Sequence, residues 1–248
     1  MQLLWPTTPA EPVSDADLER LYGYPENVNR PWVQVNFVSS ADGAAAVDEL
    51  SEGLSHPADK RIFLMGRLLA DVILVGAGTA RAEGYRGARV SPERAARRAA
   101  LGLSEVPPIA VVTRTGELDP EGPLFTDTKV PPIVITTGKA PRAELERAGA
   151  EVVVAGTDDV DLHRALALLG ERGLRRVDCE GGPALFADLI AADLVDQLCL
   201  TVAPLLAGAG ESRIVRGRPA PEPRRMELAS VLVEDGFTML RYRRREGG

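Results

Sequence analysis

Short β-rich apolar runs, set between helix-like stretches, constrain this chain more than any other feature. DVILV at 71–75, IAVV at 109–112, IVIT at 133–136 and EVVV at 151–154 show almost no polar alternation. A strand that is apolar on both faces needs cover on both, which a parallel sheet flanked by helices supplies. The stretches between them read as helices. SHPADKRIFLMGRLLA has Ser55 as its expected N-cap, Pro57 in its first turn, and Ile62, Met65 and Leu69 on one face. SPERAARRAALG has Ser91 as cap, Pro92 at the first position and Gly102 as stop. PRAELERAGA is a shorter helix ended by Gly149, and DDVDLHRALALLGERG gathers Leu162, Leu166 and Leu169 on a shared face.

Three further segments complete the pattern. PWVQVNFVSSADG is a strand closed by an Asp42-Gly43 turn. RRVDCEGGPALFADLIAADLVDQLCLTVAPLLAG reads as strand, tight turn, helix, strand and loop, and LASVLVEDGFTMLRYR as a hairpin turning at Asp235-Gly236. The expected fold is a three-layer α/β structure with a mostly parallel central sheet and a C-terminal antiparallel hairpin. Residues 1–30, rich in Pro, Asp and Glu around LERLYGYP, are expected to be an arm that packs loosely on one domain at 31–248. The similar segments at 106–116 and 130–138 are too few and too short for a repeat fold.

Charge excludes one class of partner. Of 248 residues, 29 are Lys or Arg and 36 are Asp or Glu, a net charge of −7, so no cationic excess is available for general nucleic-acid binding. The basic end RYRRREGG reads as a solvated tail. No run has the length of a membrane span, and MQLLWPTTPAEP lacks a signal-peptide pattern. Cys179 and Cys199 sit in apolar runs without CxxC spacing, which reads as reduced, buried thiols and a cytoplasmic protein. His56 and His163 are too few for an imidazole zinc site, so no metal is expected.

Three segments could carry chemistry. In VGAGTARAEGY a strand feeds Gly76, Ala77, Gly78 and Thr79, where bare Cα atoms would let a phosphate approach backbone N–H groups. The stretch is neither the dinucleotide fingerprint, whose third glycine falls at Arg81, nor a P-loop, and a plain strand-to-helix turn is the competing reading. In DCEGGPALF a strand ends at Glu180, Gly181 and Gly182 follow, and Pro183 and Ala184 open a helix whose free N–H groups suit a pyrophosphate. A carboxylate at Glu180 would repel phosphate, so it is expected to face elsewhere. In NFVSSADG, Asn36, Ser39, Ser40 and Asp42 cluster at a strand end, either as a site or as an ordinary Asx or Ser turn.

Together the three segments resemble the reductase domain of riboflavin biosynthesis, the C-terminal half of the bacterial deaminase–reductases, which has a dihydrofolate-reductase-like fold. SSADG is similar to that family's S-L-D-G, ADVILVGAGTARAEGY to its D-x-hydrophobic-V-G-x-G-T-x-x-x-D-N-P, and the run from VDCEGGPALF to LLAGAG to its E-G-G-P helix and following strand. The resemblance covers roughly residues 31–245 and implies an NADPH-dependent oxidoreductase, homodimeric, acting on a small molecule. It places NADPH at Gly76, Ala77, Gly78, Thr79, Gly181, Gly182, Pro183 and Ala184. Thr113 and Arg114 are placed for the adenosine 2′-phosphate, where an arginine holds phosphate bidentately, and Thr136 and Gly138 for the adenine or pyrophosphate. Asp42 and Glu180 are the expected catalytic groups.

The resemblance implies reduction of the ribosyl group of an aminopyrimidine 5′-phosphate, with hydride going to C1′ of the open imine. The departures lie on the substrate side. Asn36 stands where the family has lysine, and Glu83-Gly84-Tyr85 where it has D-N-P. Asn36, Ser39, Ser40 and Glu83 are expected at the substrate, with Arg86 and Arg89 as phosphate ligands or as a solvated loop. Two other readings stay open: a reductase of dihydrofolate or a related pterin on the same scaffold, and a nucleotide-binding protein without turnover. A deaminase motif, H-x-E with a later P-C-x-x-C, does not occur.

Overall fold

The computed structural model describes residues 1–6, 12–48, 50–208, 213–217, 219 and 222–245. In chain order the strands are β1 (Gln2–Trp5), β2 (Trp32–Ser40), β3 (Val72–Gly76), β4 (Ile109–Val112), β5 (Ile133–Thr136), β6 (Glu151–Val154), β7 (Arg176–Cys179), β8 (Gln197–Ala203), β9 (Met226–Glu234) and β10 (Phe237–Arg244). The helices are α1 (Asp15–Tyr22), α2 (Pro57–Leu69), α3 (Ala77–Ala82), α4 (Pro92–Ala100), α5 (Pro123–Thr126), α6 (Ala143–Arg147), α7 (Leu162–Glu171) and α8 (Pro183–Ala191), with a 3-10 turn at Ser51–Leu54.

All ten strands join one sheet in the order β1-β9-β10-β8-β2-β7-β3-β4-β5-β6. From β8 to β6 every pairing is parallel, and β10, β9 and β1 add an antiparallel flank. Successive side chains of a strand point to opposite faces, so β3 feeds two cores. Val72 and Leu74 pack with Leu166 and Leu169 of α7 and Leu185 and Leu189 of α8. Ile73 and Val75 pack on the other face with Ala80 of α3 and Leu145 of α6. Ile62, Met65 and Leu69 of α2 cover that second face further along, over Cys199 and Met239. The three layers, the parallel sheet and the hairpin at Asp235-Gly236 are as expected.

Three local expectations are corrected. The N-terminal segment does not pack loosely: β1 is an edge strand on β9, and Leu18 and Tyr22 of α1 are 0% and 1% exposed. Residues 7–11 of that arm lie outside the described residues. The N-cap of α2 is His56 rather than Ser55, with the imidazole Nδ1 accepting from Ala58 N–H at 3.2 Å while Ser55 donates to Asp59. The basic end is not a solvated tail over 241–244, because these residues form the last half of β10. Arg241 is buried, donating to Ser230 Oγ at 3.0 Å and Gln197 Oε1 at 3.3 Å, and a guanidinium is tolerated there because acceptors meet it. Residues 246–248 lie outside the described residues.

Arg98 of α4 braces α2. It is 0% exposed and donates to the carbonyls of Arg67, Leu68 and Ala70 at 2.7–3.0 Å and of Ser104 at 2.7 Å. The last carbonyls of a helix have no partner within it, and here a guanidinium fan satisfies them. Burial lowers the Arg98 pKa to about 10, which leaves it charged at neutral pH.

Candidate active site

Ligands of open parallel sheets bind beyond the carboxyl ends of the strands. There β3 and β7 are stitched together across a hundred residues of chain: Gly76 N–H donates to Gly181 C=O at 2.8 Å, and Glu180 N–H to Leu74 C=O at 2.9 Å. The Gly181–Gly182 peptide is cis, and Gly181 has φ +91°. A Cβ on Gly181 would lie 2.9 Å from the Phe37 ring, and one on Gly182 would overlap the Thr79 hydroxyl. Protein packing therefore requires both glycines. Gly78 differs: a Cβ there would meet no protein atom within 4 Å, so nothing in the described chain explains its lack of a side chain.

Beside this turn lies a cavity of about 570 Å³, within the ~300–1,000 Å³ range of small-molecule sites. Of the residues expected at the substrate, Asn36, Glu83, Arg86 and Arg89 line it, together with Glu180. Of those expected at the cofactor, Thr79, Gly182 and Pro183 form its edge. The structure thus brings three sequence segments to one wall.

Glu180 is held on both oxygens. Arg67 of α2 reaches it bidentately, Nε to Oε1 at 2.6 Å and Nη2 to Oε2 at 2.7 Å, and the Tyr85 hydroxyl donates to Oε2 at 2.6 Å. Burial works against the Arg67 charge, but Glu180, by charge and by hydrogen bond, outweighs it and raises the guanidinium pKa. Burial, and then the Glu180 charge, push the Tyr85 phenol well above its ordinary range, so it stays a donor. The Arg67 guanidinium lies 4.5 Å from the Phe63 ring centroid and 5.8 Å from that of Tyr85. Asp178, two residues before Glu180, is fully buried with Oδ2 unpartnered among the described residues, and burial followed by the Glu180 charge raises its pKa well above the carboxylate range. Asn36 is 8% exposed and its Nδ2 has no hydrogen-bond acceptor among the described residues.

The other expected residues lie elsewhere. Asp42 is exposed and outside the cavity lining; it accepts from Ser40 Oγ and from the N–H groups of Ala207 and Gly208 at 3.1 and 2.8 Å. Ser40 Oγ also accepts from Ala44 N–H at 2.8 Å, so this corner is the Asx-and-Ser turn, and Ser39 is buried beside it. Gly76 and Ala77 form the β3–α3 junction, and Ala184 is exposed in the first turn of α8. Thr113 and Thr136 are buried at the ends of β4 and β5; Thr113 Oγ1 accepts from Gly116 N–H, while Thr136 Oγ1 has no partner among the described residues. The Arg114 side chain is exposed, and Gly138 N–H donates to Gly156 C=O. Arg86 and Arg89 both reach Asp127, the nearest contacts being 3.2 and 2.5 Å.

Sequence reasoning missed Arg67, Tyr85, Phe63 and Lys60, which all line the cavity. Arg67 looked like an ordinary polar position of an amphipathic helix. The signal for Tyr85 was present: it stands where the resembled motif has proline, and Glu180 needed a partner.

The fold is α/β, with a cavity of small-molecule size beside the Gly181-Gly182 turn. Residues 31–236 match the model of the RibD C-terminal domain, and the chain belongs to that family. It is 32% identical over 187 residues, covering 74% of this chain and 82% of the relative, to the 2,5-diamino-6-ribosylamino-4(3H)-pyrimidinone 5′-phosphate reductase of Methanothermobacter thermautotrophicus. The identically named protein of Archaeoglobus fulgidus is 31% identical over 190 residues, covering 75% and 86%. Among solved structures, a pyrimidine reductase-like protein from Corynebacterium diphtheriae superposes with a TM-score of 0.78 at 26% identity, covering 91% of this chain and 98% of that one. Among the described residues no helix is long and apolar enough to cross a membrane.

Proposed function

We propose that the protein is an NADPH-dependent reductase of a ribosylaminopyrimidine 5′-phosphate in riboflavin synthesis, acting at C1′ of the open ribosyl imine. The observation that carries this reading is the single cavity that joins the Gly181-Gly182 turn to the clamped Glu180 and the unpartnered Asn36 amide. The names of its relatives support the substrate class. They lend nothing to the pterin alternative or to a protein without turnover.

The residues present fit the cofactor. Gly78 is bare without a protein reason, and Gly182, the N-cap residue before α8, offers no side-chain cap to the free N–H groups of that helix. Thr79, Gly181, Gly182, Pro183 and Ala184 would hold the pyrophosphate half. Arg114, with Thr113 and Thr136 nearby, would hold the adenosine 2′-phosphate end. Bound NADPH would supply the hydride. The chain's own part is to bind and orient the substrate: Asn36 Nδ2 donates to it and the fixed Glu180 carboxylate accepts from it. Its phosphate falls to Lys60, which lines the cavity without an ion-pair partner among the described residues, and to Arg86 and Arg89 once they exchange Asp127 for it. Asp42 has no part in this reading.

The domain at 31–248 with its arm at 1–30, a cytoplasmic location and a homodimer belong to the same proposal. Light scattering that shows a monomer at micromolar concentration would remove the dimer. The function is tested by following loss of NADPH absorbance with the ribosylaminopyrimidine 5′-phosphate and with dihydrofolate side by side. Turnover of the first far above the second is expected; turnover of dihydrofolate alone would overturn the substrate.

A further inference from the structure

We propose that Tyr85 and Arg67 are positioning residues that act on the reaction through Glu180, a role that rests on the functional reading above. A carboxylate beside a cavity has two oxygens and a free torsion. Here both are fixed: Oε1 and Oε2 each take one guanidinium N–H, and Oε2 takes the Tyr85 hydroxyl as well. The side chain of Glu180 is 1% exposed and that of Arg67 22% exposed. The clamp is therefore largely shielded from water, where bonds to a charged group are strong.

The clamp has its own support. The Arg67 guanidinium lies over the Phe63 ring and 5.8 Å from the Tyr85 ring centroid, so Tyr85 touches both members of the ion pair, one by its ring and one by its hydroxyl. The carbonyl of Arg67 is in turn held by buried Arg98. With this bracing Glu180 keeps one rotamer, leaving its remaining lone pairs to meet a substrate hydroxyl or N–H along fixed directions. Tyr85 is also a departure from the family motif, so this chain holds its carboxylate by a contact the motif does not encode.

A double-mutant cycle on the whole chain tests the idea. Tyr85→Phe keeps the ring over Arg67 and removes only the hydroxyl. It should lower kcat by about 10-fold, with KM for NADPH and for substrate within about 2-fold. Glu180→Gln should lower kcat further, and Tyr85→Phe added to it should cost nothing more, because the hydroxyl acts only through that carboxylate. Losses that multiply, or a Y85F enzyme with the kcat of wild type, would overturn the proposal. Arg67→Lys serves as a second variant should Y85F not fold: a point charge cannot serve both oxygens, so the same non-additive loss is expected. If the wild-type chain does not turn over the ribosylaminopyrimidine phosphate, the functional reading has failed and the clamp is judged by tyrosine 13Cζ resonances. One of them should shift in E180Q and be missing in Y85F; no such shift overturns the clamp itself.

Discussion

Thr79 and Gly182 compete for one volume: a methyl group on Gly182 would overlap the Thr79 hydroxyl and lie 3.3 Å from Thr79 Cβ. The two glycine segments are thus complementary surfaces, and the turn after β7 fits only because it is bare. Gly182→Ala should lower Tm by about 3–10 °C, the effect of forcing one group into a packed site of this size of domain, and should abolish NADPH binding. Thermal scans and cofactor titration check both. A variant of unchanged Tm would show that Thr79 moves away freely.

Gly78 makes the contrasting case. A side chain there meets no protein atom within 4 Å, and valine is no worse than glycine inside a helix. Gly78→Val should hold Tm within about 2 °C of wild type yet lose NADPH binding. Normal cofactor affinity in the folded variant would show that no phosphate approaches this backbone.

Arg114 separates the two nicotinamide cofactors. If its exposed guanidinium meets the 2′-phosphate, Arg114→Ala should weaken NADPH by about 10–100-fold, the worth of a charge-assisted contact, and leave NADH nearly unchanged. Equal losses for both would remove it from that end of the site.

The turn at Asp42 predicts a pH effect on stability. The Ser40 hydroxyl first, and then the Ala207 and Gly208 N–H groups, hold the carboxyl at a pKa of about 2, below its ordinary 3.8. A carboxyl with a depressed folded pKa stabilises the fold above its unfolded pKa and stops doing so as pH falls through the folded one. The Tm gap between wild type and Asp42→Asn should therefore be constant above about pH 4 and shrink toward pH 2. A gap that does not change with pH would mean that the carboxylate charge adds nothing to the turn.

What was legible in the sequence was what depends on local pattern. Val72 to Val75 declare a two-faced strand by themselves, and Ser91-Pro92 declares a helix start by the chemistry of capping. His56 took the cap of α2 from Ser55 because an imidazole nitrogen can accept an N–H as a hydroxyl can, a use too uncommon to expect. Arg98 and Arg241 were unreadable for another reason. Arginine is read as a surface residue, and only the fold shows that carbonyls or a glutamine await it inside. The substrate side was the least legible. Tyr85 and Glu180 are separated by 95 positions, and no periodicity relates them. At Asp42 the sequence left two uses open, because a carboxylate engaged in a turn and one aimed at a ligand leave the same letter in it.

The placement of β7 has a consequence for how the molecule comes into being. It is the seventh strand to leave the ribosome, yet it fills the slot between the second and the third. Until residues 176–179 are made, β2 and β3 each keep an open edge facing the other, and no earlier strand belongs in the gap. The nascent chain must hold these two edges apart or keep them unformed while residues 77–175 emerge after β3. Nearly three quarters of the protein must then exist before its working surface begins to close, so a truncated product of synthesis would be without a site and would bear the most adhesive edges of the sheet.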